Sequence, residues 1–260
     1  MTSGDSAGRS GTTFRLTETS ALPFVLVASQ RTGSTLLVRS LDSSPRIFCA
    51  GELFHAGPGI HHPEYQFPYR LCGSRWLARA RDQLAPASRV ASHLRAFYAR
   101  ASAGVAAVGF KLMVSQATSH PHVLPYLCSQ NAIRLFLCRQ DHFATALSYY
   151  KARASGVFHS DRLHRKTQDL DLVADVGDFD RIFRVCKQDF DRLIALHATI
   201  GGHLLTFEDM SNDWDSFIFR VGKLLGLEDL VVAKSLSRLG DDSSGVRVLN
   251  EEELRQHFTV

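Results

Sequence analysis

The sequence predicts an α/β fold in three layers, a central parallel sheet flanked by helices. Compact apolar runs bounded by polar or Gly residues recur at 23–29, 107–113, 132–138 and 202–207, with a further short strand at 46–50; strands buried on both faces read this way. Between them apolar residues fall at helical spacing. Strands that alternate with helices imply right-handed crossovers and ligands at the carboxyl ends of the strands. The first run, Phe24-Val25-Leu26-Val27-Ala28, enters a polar turn, Ser29-Gln30-Arg31-Thr32-Gly33, that leads at once into helical spacing.

Among the helices, Ile182, Val185, Cys186, Phe190 and Leu193 share one face, and Trp214, Phe217, Ile218, Val221, Leu224 and Leu225 share another, entered through Ser211, Asn212 and Asp213 as capping candidates. With 260 residues and 45% hydrophobic content the chain can bury a full core. Residues 21–260 are read as one α/β domain behind a Ser-, Thr- and Gly-rich tail, 1–20, expected to be disordered. No stretch approaches a membrane span and no apolar signal core is present, so a cytoplasmic protein is expected. Cys49, Cys72, Cys128, Cys138 and Cys186 are scattered, odd in number and without a C-x-x-C pair. That pattern argues against a disulfide framework or a zinc site and for reduced thiols. The net charge of +4 is mild. Its one concentrated patch (Arg70, Arg75, Arg79, Arg81, Arg89, Arg95 and Arg100 against Asp82) has little aromatic interleaving and no recognition motif. No nucleic-acid partner is expected; a solvated helical face or a basic rim for anionic substrates accounts for it.

The turn after the first strand is built to hold an anion. Its N–H groups and those of the first helical turn have no carbonyl partners and sit at the positive end of the helix dipole. Aligned on G-x-x-x-x-G-K-[ST], Gly33 and Thr35 take the second Gly and the final hydroxyl, while Ala28 replaces the first Gly and Ser34 the Lys. The fold is therefore P-loop-like, but the β/γ-phosphate lysine is absent. Arg31 offers the cation instead, and its guanidinium can grip a phosphate or sulfate oxygen pair.

The order Gln30-Arg31-Thr32-Gly33-Ser34-Thr35-Leu36-Leu37, followed by Gly51-Glu52-Leu53-Phe54, resembles the PAPS-dependent sulfotransferases, in particular the bacterial carbohydrate-type branch with the trehalose and nodulation-factor enzymes. PAPS, 3′-phosphoadenosine 5′-phosphosulfate, is the sulfuryl donor. The resemblance implies that Gln30, Arg31, Thr32, Gly33, Ser34 and Thr35 bind the donor's 5′-phosphosulfate and that the reaction needs no metal. The segment Cys138-Arg139-Gln140-Asp141 through Ser148-Tyr149-Tyr150 resembles the family's 3′-phosphate site, implying that Arg139 and Ser148 bind that group. The two stand nine apart, one more than the commonest family spacing, and Gln140 stands where relatives often carry a second arginine. By its residues alone Arg139 also suits a cap or salt bridge near Asp141. Thr206-Phe207-Glu208-Asp209-Met210 and Val248-Leu249-Asn250 resemble the family's later strand end and C-terminal helix entry, and the polar loop between 237 and 248, with Arg238 and Arg247, is a candidate cover for the donor.

Sulfuryl transfer requires cations near the leaving phosphate and one proton acceptor. Glu52 is the candidate base implied by the resemblance, with a pKa expected to be lifted toward neutrality. His55 is its rival, because an imidazole already titrates near neutral pH. Lys111, inside the apolar pattern Gly109-Phe110-Lys111-Leu112-Met113, either neutralises the sulfuryl group or acceptor or snorkels at the sheet edge. Glu52, Arg31, Lys111 and His55 are thus the candidate catalytic residues. His61 and His62 join His55 in an H-x5-H-H spacing that matches no familiar zinc pattern, and no metal is expected; their loop binds acceptor or is plain surface. The chain reads as an enzyme moving a sulfuryl group from PAPS to a hydroxyl of a carbohydrate or carbohydrate-bearing small molecule. The alternatives are a P-loop kinase using Mg-ATP, with Asp141 and Glu208 as its best carboxylates, and a non-catalytic nucleotide-binding protein. Oligomeric state is open, a homodimer included.

Overall fold

In chain order the elements are β1 (Leu22–Ala28), α1 (Ser34–Asp42), β2 (Ile47–Glu52), a 3-10 turn (Pro63–Tyr65), α2 (Ala87–Ala101), β3 (Ala107–Met113), α3 (Val114–Ser119), α4 (Val123–Ser129), β4 (Ile133–Cys138), α5 (His142–Ser155), β5 (Leu170–Leu172), α6 (Val176–Ile200), β6 (His203–Thr206), α7 (Phe207–Asn212), α8 (Trp214–Leu224), β7 (Val246–Val248) and α9 (Glu251–Phe258). This computed structural model describes residues 21–56, 61–68, 87–101, 104–156, 170–234 and 246–258. The expected tail, Cys72, Arg238 and the basic-patch members Arg70, Arg75, Arg79 and Arg81 lie outside them.

Five strands form a parallel sheet in the order β2-β3-β1-β4-β6. The sequence-predicted strands match these five within one or two residues at each end. Alternate side chains of β1 serve opposite layers, as a pleated strand requires. Val25 and Val27 pack with Phe110, Phe136, Leu94, Phe97, Leu127 and Leu193, under α2, α4 and α6. Phe24 and Leu26 pack with Leu37, Leu41, Leu137, Met210, Phe217 and Val221, under α1, α7 and α8. Gly109 is dictated by this packing, since a Cβ there would stand 2.5 Å from the Phe24 ring. A smaller parallel pair, β5 with β7, was not predicted; it joins α5, α6 and α9 around Phe143, Leu147, Phe179, Val248 and Leu254.

Chain order reverses at β1, which has β3 on one side and β4 on the other. The crevice at its carboxyl end is where such sheets bind ligands. Helix entries are fixed by short carboxylates: Asp141 accepts from Ala144 N–H at 2.7 Å, Asp175 from Asp178 N–H at 2.8 Å and Asp213 from Ser216 N–H at 3.0 Å. Among the described residues no helix is long and apolar enough to cross a membrane, and Cys49, Cys128, Cys138 and Cys186 are free.

Candidate active site

The turn between β1 and α1 holds two left-handed residues, Arg31 at φ 61° and Gly33 at φ 76°. Gly33 is required twice over, by its φ and because a Cβ would stand 2.4 Å from Met210 Cε. Arg31 has no such licence, and a non-Gly residue there costs about 1 kcal/mol or more, strain of the kind found at binding sites. Thr32 is fully buried and donates its hydroxyl to the Ser29 carbonyl at 3.0 Å, pinning the turn. Gly33 itself offers α1 no side-chain cap, and a helix N-terminus of this kind favours an anion.

The strained turn brings Arg31 to the second predicted segment. Its Nε donates to Ser148 Oγ at 3.0 Å, and the Arg139 guanidinium lies 4.4 Å from the Phe207 ring centroid. Burial first, and then the charge of Arg139, hold the Arg31 guanidinium below its ordinary pKa. Two guanidiniums thus stand near enough to oppose each other's charge at the carboxyl ends of adjacent strands. Asp141 is engaged as the α5 cap, and Glu208 Oε1 accepts from the N–H groups of Gln140 and Asp141 at 3.0 and 3.2 Å, shaping the turn that carries Arg139.

The third cluster lies across β2 and β3. Glu52 ends β2 just past a register shift. Lys111, 6% exposed, places Nζ 2.8 Å from Glu52 Oε1 and donates to Thr35 Oγ1 at 3.2 Å. Gln116 donates to Glu52 Oε2 at 2.6 Å and accepts from Met113 N–H at 3.1 Å. His55 Nδ1 is 3.7 Å from Glu52 Oε2. A contact chain therefore runs from Thr35, in the first turn of α1, through Lys111 to Glu52 and Gln116. Burial pushes the Glu52 pKa up, but the charge and hydrogen bond of Lys111, with His55 and Gln116, outweigh it and hold the carboxyl below its ordinary value. This corrects the expectation of a pKa lifted toward neutrality. Lys111 is turned inward to Glu52 and Thr35, which removes the snorkelling alternative.

A small cleft of about 40 Å³ opens between Thr35, Glu52, His55, His61 and Lys111. A larger one, about 210 Å³, lies between Gln30, Tyr149 and Arg153 on one side and Arg181, Val185 and Asp189 of α6 on the other. Val185 was expected to pack with Ile182 and Leu193; it is 55% exposed and lines this cleft. His61 and His62 set their Nε2 atoms 3.0 and 2.9 Å from Asp42 Oδ2. Arg247 pairs with Asp171 on the small sheet, Nε to Oδ1 at 3.0 Å. Sequence reasoning missed Gln116, Asp42 and Phe207. Gln116 and Asp42 act through contacts 64 and 19–20 positions away in the chain, which no local pattern reveals.

Among solved structures, the chain is similar to a sulfotransferase from Alicyclobacillus acidocaldarius (18% identity, 92% of each chain covered, TM-score 0.47). It is also similar to the sulfotransferase domain from the curacin biosynthetic pathway (13%, 88% of this chain and 84% of that one, 0.49) and to sulfotransferase STF9 from Mycobacterium avium (13%, 93% and 69%, 0.42). No curated protein sequence matches. The Stf0 sulphotransferase family matches residues 23–192, a span that runs from β1 into α6 and takes in the anion loop, Glu52, Lys111, Arg139 and Ser148. By that match the chain belongs to the Stf0 sulphotransferase family, enzymes of sulfuryl transfer for which PAPS is in general the donor.

Proposed function

We propose that the enzyme moves the sulfuryl group of PAPS to a hydroxyl of a carbohydrate or carbohydrate-bearing small molecule, with Glu52 as the base. The observation that carries this reading is the contact chain Thr35–Lys111–Glu52, which links the anion loop to a buried carboxylate. The N–H groups of residues 30–35 and Arg31 hold the donor's 5′-phosphosulfate, and Arg139 with Ser148 holds its 3′-phosphate. Lys111 neutralises charge on the leaving phosphate oxygen. As Lys111 turns toward that oxygen, the depression of the Glu52 pKa is relieved and the carboxylate gains basicity. The acceptor oxygen bonds to sulfur while the bond from sulfur to the bridging phosphate oxygen breaks. Its proton passes to Glu52, and adenosine 3′,5′-bisphosphate leaves.

The carbohydrate class is supported by the resemblance of the 30–37 and 51–54 segments to the bacterial carbohydrate-type branch. Free cysteines support a cytoplasmic setting. A kinase is disfavoured by Ser34 in the lysine position and by the engagement of Asp141 and Glu208 with backbone N–H groups. The test is incubation with PAPS labelled in its sulfuryl group and a panel of mono- and disaccharides and glycolipids, with magnesium chelated, beside a parallel reaction with Mg-ATP. Transfer of label to a sugar hydroxyl without magnesium is expected. Transfer only to non-carbohydrate hydroxyls would overturn the acceptor class, and phosphate transfer from Mg-ATP would overturn the reaction.

A further inference from the structure

We propose that Asp42, His61 and His62 form a binding site for zinc or a similar divalent transition-metal ion, which ties the segment carrying His61 and His62 to the end of α1. Asp42 closes α1, so its carboxylate stands at the negative end of the helix dipole, where an uncompensated negative charge is unfavourable. His61 and His62 both aim Nε2 at one oxygen of that carboxylate, at 3.0 and 2.9 Å, and the three ligand atoms lie within 4.8 Å of one another. A tetrahedral zinc with bonds of about 2.0–2.2 Å keeps neighbouring ligand atoms roughly 3.3–3.6 Å apart, so each Nε2 draws back from Asp42 by a few tenths of an ångström while the two Nε2 atoms, within 4.8 Å of each other, settle to that same spacing around the ion. Two imidazoles and a carboxylate are a donor set that zinc accepts, with water completing the tetrahedron.

The hydrogen-bond pattern at His62 points the same way. Its Nδ1 lies 3.3 Å from Glu64 Oε1 while its Nε2 faces Asp42. A neutral imidazole carries one N–H and can serve only one of two carboxylates. With a metal on Nε2, the Nδ1–H donates to Glu64, the carboxylate–histidine–metal arrangement that fixes tautomer and ring orientation. The surroundings are set in advance. Cys49 N–H holds the other Asp42 oxygen at 2.9 Å, Gly51 N–H donates to the His61 carbonyl at 3.3 Å, and His62 is held at φ 55°. The expectation of no metal came from the histidine spacing, which does not include Asp42, and from the resemblance to a family whose reaction needs none; a site that takes no part in the reaction is compatible with the second. Because His61 also lines the cleft beside Glu52, the ion would stiffen one wall of the acceptor side while taking no part in the chemistry.

The test uses the full chain without an affinity tag, stripped by chelator and titrated calorimetrically with zinc chloride, with cobalt(II) absorption as a second readout. One equivalent of zinc, a raised melting temperature and visible bands of cobalt bound to nitrogen and oxygen ligands are expected. Asp42→Asn and His62→Gln should each weaken zinc binding 10-fold or more, and His122→Ala, remote and exposed, should not. If a variant fails to fold, the cobalt spectrum of the wild type and the His61→Gln titration decide. Absence of stoichiometric uptake, or uptake indifferent to Asp42, His61 and His62, would overturn the proposal.

Discussion

The two ends of the site handle charge in opposite ways. At the end proposed to hold the donor, Arg31 and Arg139 stand close enough to oppose each other's charge, steadied by Ser148 and by the Phe207 ring. At the end proposed to receive the acceptor, Glu52 and Lys111 neutralise each other across a 2.8 Å ion pair that is largely buried. A cationic pair gains when an anion arrives, so the donor end is complete before its ligand and improved by it. A buried ion pair must exchange partners to do chemistry, and losing either member strands a charge in a poor solvent. Substitution of either guanidinium should therefore weaken binding and spare the fold, whereas Glu52→Gln should spare binding and lower the rate, and loss of Lys111 should lower stability.

The contrast is sharpest for Glu52→Gln. Transfer to whichever hydroxyl is turned over should fall by about 10²–10⁴-fold, the range for a lost general base, with bisphosphate affinity unchanged in calorimetry. Next is Lys111→Met, which leaves Glu52 without its cation and should cost about 3–5 kcal/mol of stability by urea unfolding; an unchanged midpoint would break the comparison. At the donor end, Arg139→Ala should weaken adenosine 3′,5′-bisphosphate binding by one to two orders of magnitude, the equivalent of about 1.5–3 kcal/mol, with the unfolding midpoint nearly unmoved.

Two pH measurements discriminate further. Glu52 must be ionised to accept a proton and its carboxyl lies below the ordinary value, so the transfer rate should hold down to mildly acidic pH and drop only as that carboxyl protonates. A rate that already falls in the neutral range, before a carboxyl below its ordinary value could protonate, would contradict Glu52 as the base. The smallest effect concerns His93, which packs against Phe54 and Phe67 and whose pKa burial pushes down to about 4. The unfolded chain binds the extra proton from about 6.5 downward and the folded chain does not. Stability should thus decline between those two values as pH falls, and His93→Gln should flatten the slope.

The same division explains what could be read from the residues in order. The loop after β1 is contiguous, and strand, turn, Gly33 and helix follow one another within a few positions, so its geometry was legible. The Arg139 and Ser148 segment was legible because one strand end and one helix hold both residues. Glu52 and Lys111 were each singled out, but their pairing was not, because it depends on the β2–β3 register, and with it went the sign of the Glu52 pKa shift. Strands β5 and β7 have three residues each, too few for a period to declare itself, and they meet from 76 positions apart. Val185 kept the helical spacing of its packed neighbours, and only the position of α5 opens a cleft in front of it.

The most direct test of the separation between the two ends is calorimetric titration of adenosine 3′,5′-bisphosphate into the wild-type enzyme, Glu52→Gln and Arg139→Ala. Equal affinity for the first two and a 10- to 100-fold loss in the third are the predicted result. Loss of affinity in Glu52→Gln, or its retention in Arg139→Ala, would contradict the account.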